Sequence, residues 1–253
     1  MRTVDLNCDM GESFGVYKLG SDDEVIQNIS SANIACGFHA GDPQIMDYTV
    51  KLAKKHGVAV GAHPGFADLK GFGRRRIDIA PEELEKELIY QIGAMQGFCK
   101  ANGVKMVHVK AHGALNNIAS INKELAFTIA RSIKAVDPGL IFVALAFSEM
   151  EKAGREEGLN VAREGFADRA YDSEGMLVSR KQPGAVIHDP EMVVERVLRM
   201  VQEGKVRTVS GEDIDINPDT ICVHGDNPEA VELTRQLKFR LNEEGIKIKP
   251  LSV

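Results

Sequence analysis

The chain has 253 residues, 43% of them hydrophobic and 27% charged, with a formal net charge of −6. That composition is enough to bury a large core in one unit, and α/β barrels of about 250 residues are commonly undivided. The acidic excess offers no general attraction to nucleic acid or anionic membrane, and no apolar run approaches the roughly 20 residues that span a bilayer.

The amino end, MRTVDLNCDMGE, reaches three acidic residues within twelve positions and builds no apolar targeting region. Thr3–Asn7 reads as the first strand and Ala32–Cys36 as the second. Asp42-Pro43 then caps a helix carrying Ile45, Thr49, Val50 and Ala53 on one face. Val58–Ala62 is the third strand, and Pro81 opens a long helix with Leu84, Leu88, Ile92, Met95 and Cys99 in register. Met106–Lys110 is the fourth strand, and Leu125, Ile129 and Ile133 mark a helix that stops before Pro138. Leu140–Leu145 and Asn160–Glu164 are the fifth and sixth strands. Residues 172–184 are too polar and glycine-interrupted for core and read as a lid or small excursion. Asp189-Pro190 starts a helix with Val193, Val197 and Val201 inward, and 206–216 reads as a surface hairpin. Thr220–His224 is the seventh strand, and Asn227-Pro228 opens the last helix, with Val231, Leu237 and Leu241.

Several of these strands are nearly continuous apolar runs, as parallel strands covered on both faces require. Seven strands feeding helices predict a single-domain α/β chain, a (β/α) barrel that is seven-stranded or incomplete. A doubly wound open sheet has the same alternating signature and stays open as an alternative.

Six of the seven strands deliver ionisable side chains at their carboxyl ends. Asp5, Asn7, Asp9 and Glu12 line or follow the first; His39 and Asp42 follow the second; His63 ends the third. His108, Lys110 and His112 belong to the fourth, Glu164, Asp168 and Arg169 to the sixth, and His224 and Asp226 to the seventh. In a parallel barrel those ends share one rim, which predicts a common pocket for a small polar molecule. His56 closes a helix before Gly57, His188 precedes a helix start, and His108 inside VHVK reads as a packing residue. Asp9, His39, Lys110, His112 and Asp226 are the candidate catalytic groups; Asn7, Glu12, His63, Arg169 and His224 are candidates for binding substrate.

Such a set suits a divalent metal, for which Asp9, His39, His63 and His224 are the candidate ligands. It equally suits metal-free acid–base chemistry, with Lys110 or Arg169 facing negative oxygen. H-E-x-x-H, paired C-x-x-C, the P-loop and G-x-G-x-x-G are all absent, so no motif marks an ATP site in this chain. GFGRRR (71–76) is a cationic loop that reads as an anion contact or a solvated surface. Cys8, Cys36, Cys99 and Cys222 form no C-x-x-C pair; they read as small buried side chains in a reducing cytoplasm.

Six ordered blocks carry a resemblance: DLNCDMGESFG (5–15), NIACGFHAGDP (33–43), GAHPGFADLKGFGRR (61–75), VKAHGALNN (109–117), EGFADRAYDSEGMLVSR (164–180) and ICVHGDNP (221–228). Together they resemble the LamB/YcsF family, which is assigned as the A subunit of 5-oxoprolinase. The resemblance implies ATP-dependent hydrolysis of 5-oxo-L-proline to L-glutamate, with subunits B and C as partners. It also implies a barrel of the glycoside hydrolase and deacetylase type. Asp9, His39, His63, Lys110, His112, His224 and Asp226 fall inside its motifs. Ala111 and Asn116 depart from the usual proline and tyrosine, changing loop stiffness and removing an aromatic wall. Two other readings stay open: a standalone metal-dependent deacetylase or amidohydrolase, and a non-catalytic lactam-binding subunit. Homo-oligomeric state is equally open.

Overall fold

The computed structural model describes residues 2–225 and 227–252. In chain order β1 (Thr3–Met10) leads through a short helix α1 (Asp22–Val25) to β2 (Ser31–Ala35), α2 (Pro43–His56) and β3 (Ala59–His63). Then come α3 (Pro81–Ala101), β4 (Met106–Lys110), α4 (Gly113–Ala119), α5 (Lys123–Val136), β5 (Ile141–Leu145), α6 (Glu149–Glu156) and β6 (Asn160–Phe166). The chain ends with α7 (Pro190–Glu203), β7 (Lys205–Arg207), β8 (Asp213–Asp215), β9 (Thr220–Val223), α8 (Pro228–Glu243) and β10 (Lys247–Ile248).

Strands β1 to β6 and β9 lie parallel in that order, and β9 pairs back onto β1 to close a seven-stranded barrel. Closure removes the open-sheet alternative. Strand β10 adds a short parallel pairing at Thr3 and Val4, while β7 and β8 form a separate antiparallel ribbon. No helix among the described residues is long and apolar enough to cross a membrane.

The helix starts follow their capping residues. Asp42 accepts from the Gln44 and Ile45 amides, Asp189 from Met192 and Asn227 from Ala230, and each is followed by proline at the first turn. Helix α6, which the sequence reading did not anticipate, is set by Ser148, whose hydroxyl accepts from the Glu151 amide. Glu151 in turn accepts from the Phe147 amide and from Arg155 and Arg163.

Strand alternation divides each wall. On β1, Leu6, Cys8 and Met10 join the apolar core, whereas Asp5, Asn7 and Asp9 bond to other strands inside the barrel. The interior is therefore polar. At its base the hydroxyls of Ser30, Ser31 and Thr220 donate to the Asp5 carboxylate. Higher up, the Asn33 amide donates to Asn7 Oδ1 at 2.7 Å and Asp9 Oδ1 at 2.9 Å. The opposite wall is apolar: Ile141, Val143 and Ala162 cluster with Leu251.

Gly61 explains how this interior fits. Asn33, Gly61 and His108 lie in one register row across β2, β3 and β4. Lacking a Cβ, Gly61 lets the His108 ring pass over β3 and bring Nε2 to 2.7 Å from Asn33 Oδ1. A methyl group there would sit 2.2 Å from the ring. Gly61→Ala should lower unfolding stability by about 1–3 kcal/mol through overpacking, measured by urea denaturation. An unchanged midpoint would mean that the row has slack.

Candidate active site

The centre of the rim is the ammonium of Lys110. Its Nζ lies 2.8 Å from Glu164 Oε1, 3.0 Å from Asp9 Oδ1, 3.2 Å from Asn7 Oδ1 and 3.1 Å from Cys222 Sγ. These acceptors come from β6, β1 and β9, none adjacent to β4, so the side chain crosses the barrel. Burial alone would lower the Lys110 pKa; Asp9, Cys222 and Glu164 outweigh it and hold the group well above its usual value. Burial likewise pushes against ionised Asp9, yet His63 and Lys110 keep its carboxyl well below the usual range. For Glu164 burial prevails and the pKa is raised, Lys110 offsetting it only in part.

Three imidazoles stand beside this pair. His39 and His112 stack with centroids 3.7 Å apart, and His63 meets both edge-on. His63 Nδ1 lies 2.8 Å from the Lys110 carbonyl and His112 Nε2 2.8 Å from the Phe72 carbonyl. A carbonyl only accepts, so each of those nitrogens carries the proton. The inner nitrogens, His63 Nε2 and His112 Nδ1, face each other at 3.0 Å, and His63 Nε2 also lies 3.3 Å from Asp9 Oδ2. Only a shared proton or a bound cation relieves that contact. Burial and the neighbouring His63 push His112 down to about 3, and burial with His112 holds His39 well below its usual value. Both ring nitrogens of His39 are buried without a protein partner. Glu12, His39, His63 and His112 offer ligand atoms all within 4.8 Å of one another. Two of these imidazoles donate their outer N–H to a carbonyl, as metal-ligating histidines do, so the donor set fits a cation. His39 and His63 are the only expected ligands in the group; Glu12 and His112 stand where Asp9 and His224 were expected.

The loop after β3 encloses the stack. A Cβ on Gly65 would meet His39 Nδ1 at 2.8 Å, and one on Gly73 would meet His39 Cβ at 2.7 Å. GFGRRR thus wraps the histidines through its backbone, and its arginines do not converge on them. Arg74 lies over the Phe72 ring, Arg75 pairs with Asp68, and Arg76 lines a cavity of about 450 Å³ outside the rim with Phe66, Ile118 and Asn122.

His224 forms a second centre, its Nδ1 3.0 Å from Asp168 Oδ2 and its side chain 25% exposed. Burial opposes the charged ring, but Asp168 outweighs it and raises the His224 pKa. Asp168 itself is lowered, His224 and Arg180 overcoming the cost of burial.

Asn7, Asp9, Glu12, His39, His63, Lys110, His112 and His224 therefore gather at the carboxyl ends of the strands; Asp226 lies outside the described residues. Arg169 is placed differently from the expectation. Its buried guanidinium donates to the carbonyls of Val178 and Ala185, clamping the segment after β6. Lys110 likewise has no free N–H to offer, since four acceptors surround three hydrogens. Four contributors were given no role in the site or were read as packing. They are Asn33, His108 and Glu164 in the interior and Asp168 behind His224. A polar residue inside an apolar strand was the available signal for the first three. Burial raises the Cys36 thiol to about 12 and those of Cys8 and Cys222 well above their usual value, which disfavours the thiolate that a nucleophile needs.

The closed seven-stranded (β/α) barrel is a fold that deacetylase catalytic domains share. The catalytic domain of a peptidoglycan N-acetylglucosamine deacetylase from Eubacterium rectale superposes with a TM-score of 0.52 at 13% identity, over 100% of this chain and 89% of that one. That likeness concerns the fold. Residues 4–253 match the LamB/YcsF family, and the chain belongs to it. It is 63% identical over 251 residues to the 5-oxoprolinase A subunit of Natranaerobius thermophilus, covering 99% of this chain and 98% of that protein. The crystal structure of a lactam utilization protein from Thermus thermophilus superposes with a TM-score of 0.94 at 46% identity, over 98% of this chain and all of that one.

Replacing Lys110 by methionine would strand the buried carboxyl of Glu164 and the partly exposed one of Asp9. Stability should fall by about 3–5 kcal/mol in urea unfolding. A loss below about 1 kcal/mol would show that the ammonium does not balance them.

Proposed function

We propose that this chain is the A subunit of an ATP-dependent 5-oxoprolinase, hydrolysing 5-oxo-L-proline to L-glutamate together with subunits B and C in the cytoplasm. The observation that carries the reading is the rim, where an ionised carboxylate and a carboxylate-backed imidazole converge in a chain so similar to proteins of that name. The lactam amide is stable, so ATP drives the opening. With one ATP and two waters consumed, the balance gives glutamate, ADP and phosphate. ATP phosphorylates the carbonyl oxygen and leaves as ADP, a step to which B and C contribute; one water adds to the activated carbon, the C–N bond breaks as the nitrogen takes up a proton, and the second water hydrolyses the resulting acyl phosphate to glutamate and phosphate.

Proton delivery falls to His224. His112, the expected donor, is buried, bonded at both nitrogens and pushed down to about 3, so it holds no transferable proton near neutrality. His224 is partly exposed, its pKa is raised, and Asp168 holds Nδ1–H, which leaves Nε2 to act as the acid. Asp9, 22% exposed and ionised, orients the attacking water rather than deprotonating it, because its pKa is too low for an efficient base. A divalent cation held by Glu12, His39, His63 and His112 would supply polarisation of an oxygen beside Asp9. That donor set also favours a second reading, a standalone metal-dependent amidohydrolase, which requires turnover by this chain alone without ATP.

Reconstitution with candidate B and C subunits, omitting each component and ATP in turn, tests the first reading. Glutamate and phosphate should appear only in the complete mixture; ATP-independent release by this chain alone would favour the second. Rate should fall as pH rises through the raised pKa of His224, which acts only while protonated. In Asp168→Asn that alkaline limb should move to lower pH, whereas an unmoved limb in steady-state profiles would remove His224 from the role. Isothermal titration with Zn²⁺ should show one site per chain, lost in His39→Ala with His63→Ala. Equal binding by the double variant would discard the cation site.

A further inference from the structure

The loop between β1 and α1 carries an apolar surface that neither the fold nor the rim chemistry uses. Val16 is 90% exposed and Tyr17 75%, and Phe14 and Leu19 flank them on the surface. Four large apolar side chains within six residues are not scattered background. Nor is the loop slack. Phe14 and Tyr17 exchange backbone hydrogen bonds of 3.0 and 2.9 Å. The Leu19 amide donates to Ser13 Oγ, and the Gly15 amide donates to Asp42 Oδ2 at 2.7 Å. The Ser21 amide, just beyond the loop, donates to the Gly225 carbonyl beside His224. The apolar tip is therefore held rigid across the barrel mouth, from the loop after β2 to the loop after β9, and starts next to Glu12. Rigid presentation lowers the ordering cost of association.

The surrounding charge selects the partner. Glu12, Asp22, Asp23 and Glu24 flank the loop in sequence, Asp42 accepts from its Gly15 amide, and Lys18 is the lone cation within it. A second copy docking isologously would bring acidic borders together, which like-charge repulsion opposes. We infer that residues 13–20 form a docking knob for a different protein, a partner subunit of the complex proposed above. Its matching surface is an apolar socket with a lysine- and arginine-rich border. The inference rests on that functional reading for the partner's identity, and on the loop alone for the contact. Docking there would cover the mouth between Glu12 and His224 and shield the activated lactam from bulk water.

The test measures association separately from turnover. This chain is titrated with purified candidate B and C subunits, alone and combined, by calorimetry and gel filtration. It is compared as wild type, V16D/Y17D, the uncharged V16S/Y17S, and F239D at an exposed apolar side chain of α8 as control. Circular dichroism should be unchanged, because both loop side chains are exposed. Both loop variants should weaken association by about tenfold or more, as loss of a central anchor does, and F239D should not. Added salt should weaken the wild-type complex. Wild-type affinity in the loop variants, no association of wild type with either subunit, or a wild-type homodimer that the variants dissociate would each overturn the inference. Association that depends on Val16 and Tyr17 without glutamate release would uphold the knob and reject the oxoprolinase reading.

Discussion

One buried ammonium organises this barrel. Lys110 reaches across the interior to groups on three strands that are not its neighbours, so a single charge ties together walls that backbone pairing joins only in sequence around the ring. Burying a cation is costly unless it is paired and hydrogen-bonded. Asp9 and Glu164 supply the pairing, and Asn7 and Cys222 complete the shell. The same arrangement keeps Asp9 ionised at the mouth, which makes the stability of the interior and the charge of the rim one problem.

The rim separates its imidazoles by environment. His39 and His112, buried and stacked, are held neutral, which suits them to ligate a cation. His224, half-buried against Asp168, has its pKa raised instead. Environments that push like groups apart are how acid and ligand roles become assigned within one fold. The glycines of the loop after β3 contribute by absence, letting backbone approach the stacked rings where any side chain would collide.

Much of the architecture was legible in the sequence, because apolar runs with glycine-bearing exits and Asx-Pro helix starts are local signals. Helices α4 and α6 were not, being 7 and 8 residues long and too short to show a periodic face. The convergence of Asp9, His39, His63, Lys110 and His112 followed from strand ends alone. Their pairing did not follow, because which imidazole stacks on which depends on the stagger of the closed barrel. His108 was read as packing, although it bonds Asn33 across a glycine two strands away, a contact invisible without register. Arg169 was misread for a related reason: its partners are backbone carbonyls of an irregular segment, which leave no trace in residue identity.

The carbonyl of Lys110 holds His63 while its side chain balances Asp9, and these two functions of one residue are chemically separable. Any amino acid at position 110 retains the carbonyl, so the bond to His63 Nδ1 does not depend on the side chain there, whereas the charge beside it does. A change of side chain at position 110 would thus alter the polarity of the barrel mouth and leave that carbonyl acceptor in place, at the cost of an unbalanced Glu164.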